Sequence, residues 1–316
     1  MRIGVISNPR SQRNRGDMER MRSLIARRSL PHGEIDEMHS VPAILRSFAE
    51  EGVEVVAVSG GDGTVQAVLT ALLNGRIFPK APGLAVLAGG MTNLIAADVG
   101  MKDHPVEGLE RLLEPGDQPG RAAITRPVLS LQMESSRPPV HGMFLGTAGF
   151  YRAVQLVRRR VHPLGAERNL AAGMGIAASI ARLLIGRPGK DELLQGDSIR
   201  IDIDGDCGAE RDYLLWMATT LDRFIMHVSP FWGNGALPVR YTAVPFPPRR
   251  LALALWPILS GRPQRWMAAA GYESGRAAAL ELRLNCPIVF DGEVFNPQPE
   301  QPVTLRADNQ VTFWRI

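Results

Sequence analysis

The sequence predicts an α/β plus β protein, with an N-terminal parallel α/β domain over residues 1–124 and a C-terminal antiparallel β domain over residues 125–316. Three observations predict it. Short apolar strands alternate with helical patterns through the first 125 or so residues, which favours a parallel sheet covered on both faces. Beyond them come alternating segments separated by turn-rich stretches, the pattern of antiparallel strands. The chain is 316 residues long, 45% hydrophobic and 22% charged, enough for two cores at roughly 100–200 residues per domain. That composition excludes intrinsic disorder, collagen and a disulfide-built mini-scaffold.

The elements follow in order. Ile3 to Ser7 is a short strand closed by Asn8-Pro9. Met18, Met21, Leu24 and Ile25 fall at helical spacing in a helix over Met18–Arg28. A second strand is expected over Ile35–His39. A helix over Val41–Glu51 should follow, with Pro42 in its first turn and Gly52 at its end. Val53 to Ser59 is a β-branched run bounded by glycines, as suits a strand buried on both faces. A helix over Val65–Leu73, a strand over Leu84–Leu87 and helices from Asn93 and Val106 complete the domain. Gln118-Pro119-Gly120-Arg121 is the expected crossing. Strands are then expected at Val128–Met133, Ser198–Asp204, Tyr213–Thr219, Val239–Val244 and Ala278–Leu284. Helical inserts are expected at Gly149–Arg160, Leu170–Leu184 and Arg249–Ser260.

Charge and cysteine content narrow the partners. The formal net charge is +4, and Lys80, Lys102 and Lys190 are the only lysines. Arginine forks match phosphate oxygens two at a time, although a general preference for arginine over lysine explains the same count and carries more weight. No nucleic-acid-reading motif accompanies the arginines, so no nucleic acid is expected. Cys207 and Cys286 are too few for a disulfide framework or a four-ligand zinc site. With Met1–Ile6 reading as a strand and not a leader, a cytoplasmic setting is expected. The longest apolar stretch, Leu170–Gly186, contains Arg182, Gly173 and Gly175 and falls short of the ~20 residues of a spanning helix. Leu251–Leu259 is shorter and contains Pro257. Arg158-Arg159-Arg160 and Arg168 edge the first stretch, and Arg249, Arg250, Arg262 and Arg265 the second. Apolar segments edged by arginine suit an anionic bilayer surface, and a packed core helix with solvated ends accounts for the first one equally well.

The strongest chemical signal is Gly60-Gly61-Asp62-Gly63-Thr64 between a strand and a helix. Glycines there let backbone N–H groups approach a phosphate, with a helix N-terminus behind them. Asp62 repels phosphate and makes sense beside it only with Mg²⁺ between the two. Thr64 suits a helix cap. The turn lacks the Gly-Lys-Ser/Thr of a Walker loop and the spacing of the dinucleotide fingerprint. Gly89-Gly90-Met91-Thr92-Asn93 opens a helix after the next strand, and Asn8 ends the first. All three loops belong on the carboxyl edge of a parallel sheet, where ligands bind. Asn93 also reads simply as a turn or cap residue. Taken by themselves, Asp291-Gly292 read as a hairpin turn and Glu293 as a solvated charge.

Together, Asn8-Pro9, Gly60-Gly61-Asp62-Gly63-Thr64, Gly90-Met91-Thr92-Asn93 and Asp291-Gly292-Glu293 resemble, in order and spacing, the diacylglycerol kinase catalytic-domain family, which includes bacterial lipid kinases and sphingosine kinases and is related in fold to NAD kinases. The resemblance extends over essentially the whole chain. It implies a Rossmann-like nucleotide domain followed by a β-sandwich lipid-substrate domain, and transfer of the γ-phosphate of ATP to a lipid hydroxyl, diacylglycerol or a related lipid. It also implies Asp62 on Mg²⁺, and Glu293 as the general base, a role some relatives give to the position of Asp62. Nucleotide contacts are implied at Asn8, Ser40, Gly60, Gly61, Gly63, Thr64, Gly90, Thr92 and Asn93. The implied partner is a lipid at an anionic membrane surface, met peripherally, with a homodimer as an allowed assembly. The chain departs from the family at three places. Met91 stands where many members have threonine, with Thr92 beside it. Tyr151 ends Gly146–Tyr151 where an acid is usual, and Asn234 replaces the aspartate of a structural Mg²⁺ site, which is therefore not carried over. The rival readings are a catalytically weak nucleotide-binding protein on the same fold and an NAD kinase-like enzyme with a soluble substrate.

Overall fold

The computed structural model describes residues 1–101, 103–114, 122–161, 195–224, 228–299 and 301–315. The expected Gln118–Arg121 crossing and Leu170–Leu184 helix, with Arg168, lie outside the described residues. The N-terminal part runs β1 (Ile3–Ser7), α1 (Met18–Arg27), β2 (His32–Glu34), α2 (Val41–Glu50), β3 (Val55–Gly60), α3 (Asp62–Gly75), β4 (Gly83–Ala88), α4 (Leu94–Val99) and α5 (Pro105–Leu113). Its strands are parallel and lie in the order β4-β3-β1-β2. Successive strand residues point to opposite faces, so each run feeds two cores. Val5, Val55, Ala57 and Ala85 pack on α1 and α5, through Met21, Leu24 and Leu109. Ile6, Val56, Val58 and Val86 pack on the other side with Leu45, Val65, Val68 and Ile95 of α2, α3 and α4.

Two elements depart from the sequence reading. The second strand is His32–Glu34, not Ile35–His39, because pairing with β1 ends where Ser7 does and the chain must then turn into α2 through a single 3-10 turn at Met38–Ser40. Ser40 thus ends that turn and not a strand. Helix α3 begins at Asp62, three residues ahead of the expected start. Gly61 therefore occupies the cap position, and Thr64 sits inside the first turn instead of capping it.

The C-terminal part contains β5 (Ala122–Gln132), β6 (Val140–Gly142), β7 (Phe144–Ala148), α6 (Gly149–Val161), β8 (Asp197–Ile203), β9 (Glu210–Thr219), β10 (Val239–Pro245), α7 (Leu251–Ser260), α8 (Arg265–Ala269), β11 (Glu273–Ala277), β12 (Ala279–Leu284), β13 (Ile288–Phe290), β14 (Glu293–Phe295) and β15 (Val303–Arg315). It is an antiparallel sandwich hinged on β9, which pairs β8 along its first half, β7 along its second and β10 on its other edge. Leu131, Leu145, Trp216, Leu282, Phe290 and Leu305 fill the space between its layers. Strand β15, which the sequence reading did not anticipate, lies antiparallel to β5 and β12 and meets β4 in parallel at Phe313 and Leu84. It makes one continuous sheet of the two parts, and β5 runs straight through the expected boundary between residues 124 and 125.

Candidate active site at the carboxyl edge of the parallel strands

The loops after β1, β3 and β4 converge as expected, and side chains lock them together. Asn8 is buried; its amide nitrogen donates to Thr64 Oγ1 at 3.0 Å, its oxygen accepts from the Arg10 backbone, and its own backbone N–H donates to Ser59 O at 2.9 Å. Asn14, which the sequence reading missed, is the hub beneath. Its amide nitrogen donates to Asn8 O and Ser59 O, and its oxygen accepts from Ser59 Oγ. A polar loop residue of this kind carries no local signal of being 2% exposed.

The two glycine turns are packed backbone to backbone. Gly89 N–H donates to Gly60 O at 3.1 Å. A Cβ on Gly90 would fall 2.5 Å from Gly61 Cα, and one on Gly89 would fall 2.8 Å from Gly60 N. The contact between turns thus requires glycine at these positions before any ligand is considered. Asn93 closes the second turn with both ends of its amide, accepting from Gly90 N–H at 2.7 Å and donating to Gly90 O at 2.8 Å, from a left-handed backbone with φ 52°. Its side chain is therefore committed to the turn. Thr92 and Met91 are exposed beside it. Ser40 hydroxyl donates to Glu37 O, closing its own turn on the same edge.

Asp62 spans the two turns. Its carboxylate oxygens accept from the backbone N–H groups of Ile95 at 3.0 Å and Leu94 at 3.1 Å, at the start of α4. An anion at a helix N-terminus is favourably placed. Burial still pushes its carboxyl above the usual range, with those two hydrogen bonds opposing.

The Asp291-Gly292-Glu293 segment is a hairpin turn, as its local sequence reads. Phe290 pairs with Glu293, and Asp291 and Gly292 adopt φ 46° and 89°. The fold sets this hairpin on the glycine turn. A Cβ on Gly63 would lie 2.7 Å from Glu293 Oε1, and Gln66 of α3 donates from its amide nitrogen to Phe290 O at 2.7 Å. Glu293 remains exposed, over the first turn of α3. Arg158 of α6 donates to Gly292 O, so this arginine, expected to edge a lipid-facing segment, holds the hairpin. Asp291 is the largest omission of the sequence reading, which saw only a turn residue. It is 3% exposed and accepts backbone N–H groups from Met143 and Phe144, both at 2.9 Å. Burial first, and then repulsion from Asp62, pushes its carboxyl well above the usual range. Two carboxyls that repel each other beside a glycine turn are a recurrent mark of functional sites. Gln66 left one trace in the sequence, a lone amide in the apolar helical run Val65–Leu73.

Two oxygen-donor carboxyls suit a hard cation, and among the described residues no group of three or more His, Cys, Asp or Glu side chains could hold a metal by itself. A cation here needs further ligands, which phosphate oxygens supply. No helix among the described residues is long and apolar enough to cross a membrane.

Comparison with known proteins bears on this arrangement. Residues 2–122 match the family model of the diacylglycerol kinase catalytic domain, a kinase domain. No curated protein sequence matches the chain. Three similar crystal structures come from Bacillus anthracis str. Sterne: two are of proposed diacylglycerol kinases and one is of a diacylglycerol kinase. The first is 16% identical, with 99% of this chain and 96% of that one covered at a TM-score of 0.63. The others are each 14% identical, with TM-scores of 0.61 and 0.60 and coverage of 99% and 100% of this chain and 96% and 97% of theirs. In its nucleotide-side domain by sequence, and in fold along nearly its whole length, the chain is similar to the diacylglycerol kinase catalytic-domain family.

Proposed function

We propose that the protein transfers the γ-phosphoryl group of ATP to a lipid hydroxyl. One observation carries the reading: Glu293, more than two hundred residues from the glycine turn in sequence, rests against Gly63 at its centre. The N-terminus of α3 offers backbone N–H groups and its dipole to phosphate oxygens. Asp62, with Asp291 behind it, fits Mg²⁺ shared with those phosphates, and Mg²⁺ when bound neutralises the charge that develops on them. Glu293 is solvent-facing, so an acceptor hydroxyl can reach it, and its carboxylate takes the hydroxyl proton as the oxygen attacks phosphorus. Acceptor and nucleotide then meet over the first turn of α3, between the two parts of the chain.

The membrane side of the proposal rests on α7. Leu253, Trp256 and Leu259 are 66%, 76% and 36% exposed, and exposed arginines at positions 249, 250, 262 and 265 surround them. Large apolar side chains rimmed by cations suit an anionic lipid surface. Arg250 also stacks on Trp266, 5.8 Å from its centroid, which fixes the base of the helix. The deciding experiment is transfer of ³²P from ATP to a panel of lipids and to NAD, with a no-acceptor control. Label in lipid supports the proposal, and label only in NAD replaces it by the soluble-substrate reading. ATP binding without any transfer leaves a nucleotide-binding protein.

A further inference from the structure

On β10 and β11, Arg240 and Arg276 stand directly opposite each other in the antiparallel register. Opposed residues in such a pair share a face with Cβ atoms about 5 Å apart, and like charges there repel. Neither guanidinium is satisfied. Arg240 Nη2 and Arg276 Nε are enclosed without a hydrogen-bond partner, although the Arg276 fork does donate to Leu237 O at 3.0 Å. A third orphan, Thr220 Oγ1, is buried one residue beyond Thr219, the cross-strand partner of Arg240 on β9. Buried donors left unpaired are costly and ask for an occupant.

The nearby acids do not supply one. Asp98 is committed to Arg126 and to the backbone N–H groups of Asp222 and Arg223, and the Asp222 carboxylate to Arg126 at 3.1 Å. Three arginines against two aspartates leave one positive charge unmatched in this group. The Arg240 guanidinium lies 5.4 Å and 5.9 Å from the ring centroids of Phe231 and Phe224, which stack on each other, so it is held in place. Burial, with Arg276 and Arg126 adding to it and Asp222 and Asp98 opposing, lowers its proton affinity below the ordinary arginine value. Phe224 meets Phe144 edge-on, and the Phe144 backbone N–H holds Asp291, so an apolar path joins this face to the candidate active site.

We propose that Arg240 and Arg276 form a receptor for a phosphate group, either that of a phospholipid headgroup or free phosphate. Two half-buried forks facing each other are matched by an anion between them, with each nitrogen donating to a phosphate oxygen. This site is separate from the ATP site and does not depend on the kinase reading, because its test is binding without nucleotide.

The test is thermal stabilisation and calorimetric titration of the full chain with inorganic phosphate, dihexanoyl phosphatidate and dihexanoyl phosphatidylcholine, for the wild type, Arg276→Gln and Arg240→Lys. Phosphatidate is expected to bind the wild type, and Arg276→Gln to weaken that binding at least tenfold. The response is read within each variant, so a changed baseline stability does not enter. Arg240→Lys keeps the charge but loses the fork, and should weaken binding several-fold even if Arg276→Gln folds poorly. Inorganic phosphate binding with the same sensitivity identifies free phosphate as a source. Binding of phosphatidate alone identifies the headgroup, and equal binding of phosphatidylcholine extends it to phosphodiesters. No binding to the wild type, or binding unchanged in both variants, overturns the proposal.

Discussion

At the scale of single residues, the site is built from positions whose neighbours are fixed by hydrogen bonds, and two of them separate chemistry from packing. Glu293 is exposed and touches only the glycine turn, so Glu293→Gln should leave the hairpin and ATP binding intact while lowering kcat roughly 10²–10⁴-fold. Steady-state kinetics with titrated ATP check this, and a variant keeping more than about a tenth of its kcat rejects Glu293 as the base. Gly90 serves packing. A methyl group there meets backbone, which cannot swing away, so Gly90→Ala should lose about 1–3 kcal/mol in urea unfolding. A change within about 0.5 kcal/mol would show that the two turns are not in the contact described.

At the scale of elements, the parts that hold α3 against the sandwich have a pH signature. His141 of β6 is 2% exposed, with its ring between Ser130 Oγ and Asn74 Oδ1 at 3.0 Å each, and its backbone joined to Thr70 of α3. Burial pushes its pKa down from 6.5 to about 4. The unfolded chain therefore takes up a proton near pH 6.5 that the native state refuses until about pH 4. Stability is full above that window and falls as the pH drops through it, by on the order of 2 kcal/mol. Urea midpoints at pH 7 and pH 5 should show the loss, and His141→Gln should flatten it; parallel slopes in the two proteins would exclude His141 as the source. Helix α7 makes a different prediction. Trp256→Ala should weaken binding to anionic vesicles without lowering Tm, because the indole is 76% exposed, and raised salt should release the wild type. Sedimentation that ignores lipid charge, or a variant that binds as well as the wild type, counts against α7 as the lipid-facing element.

At the scale of the whole molecule, β15 makes the two parts one cooperative unit. Phe313 is fully buried in the core shared with β3, β4 and α4, although it belongs to the last strand of the chain. Phe313→Ala should cost about 3–5 kcal/mol, and calorimetry should show a single transition moving down as a whole. Two separated transitions, with only one displaced, would mean that the parts unfold independently.

The local pattern determined a great deal by itself. Apolar runs such as Val55–Gly60, with helical spacing between them, dictate a parallel sheet covered on both faces, and a glycine-rich strand-to-helix turn places backbone donors on its carboxyl edge. These features are legible because strand period, helix period and turn chemistry act over a few residues. The start of α3 and the position of β2 shifted because pairing with β1 and packing against Gly90 override propensity at element ends. What only the tertiary structure decided was which turns meet. Asp291-Gly292 is a hairpin turn by every local rule, yet Gln66, Arg158 and the amides of Met143 and Phe144 turn it into the roof of the site. The same holds for Asn14, for the opposed pair Arg240 and Arg276, and for β15. Each depends on contacts between residues far apart in the chain, and such contacts leave no period or spacing in the sequence from which to read them.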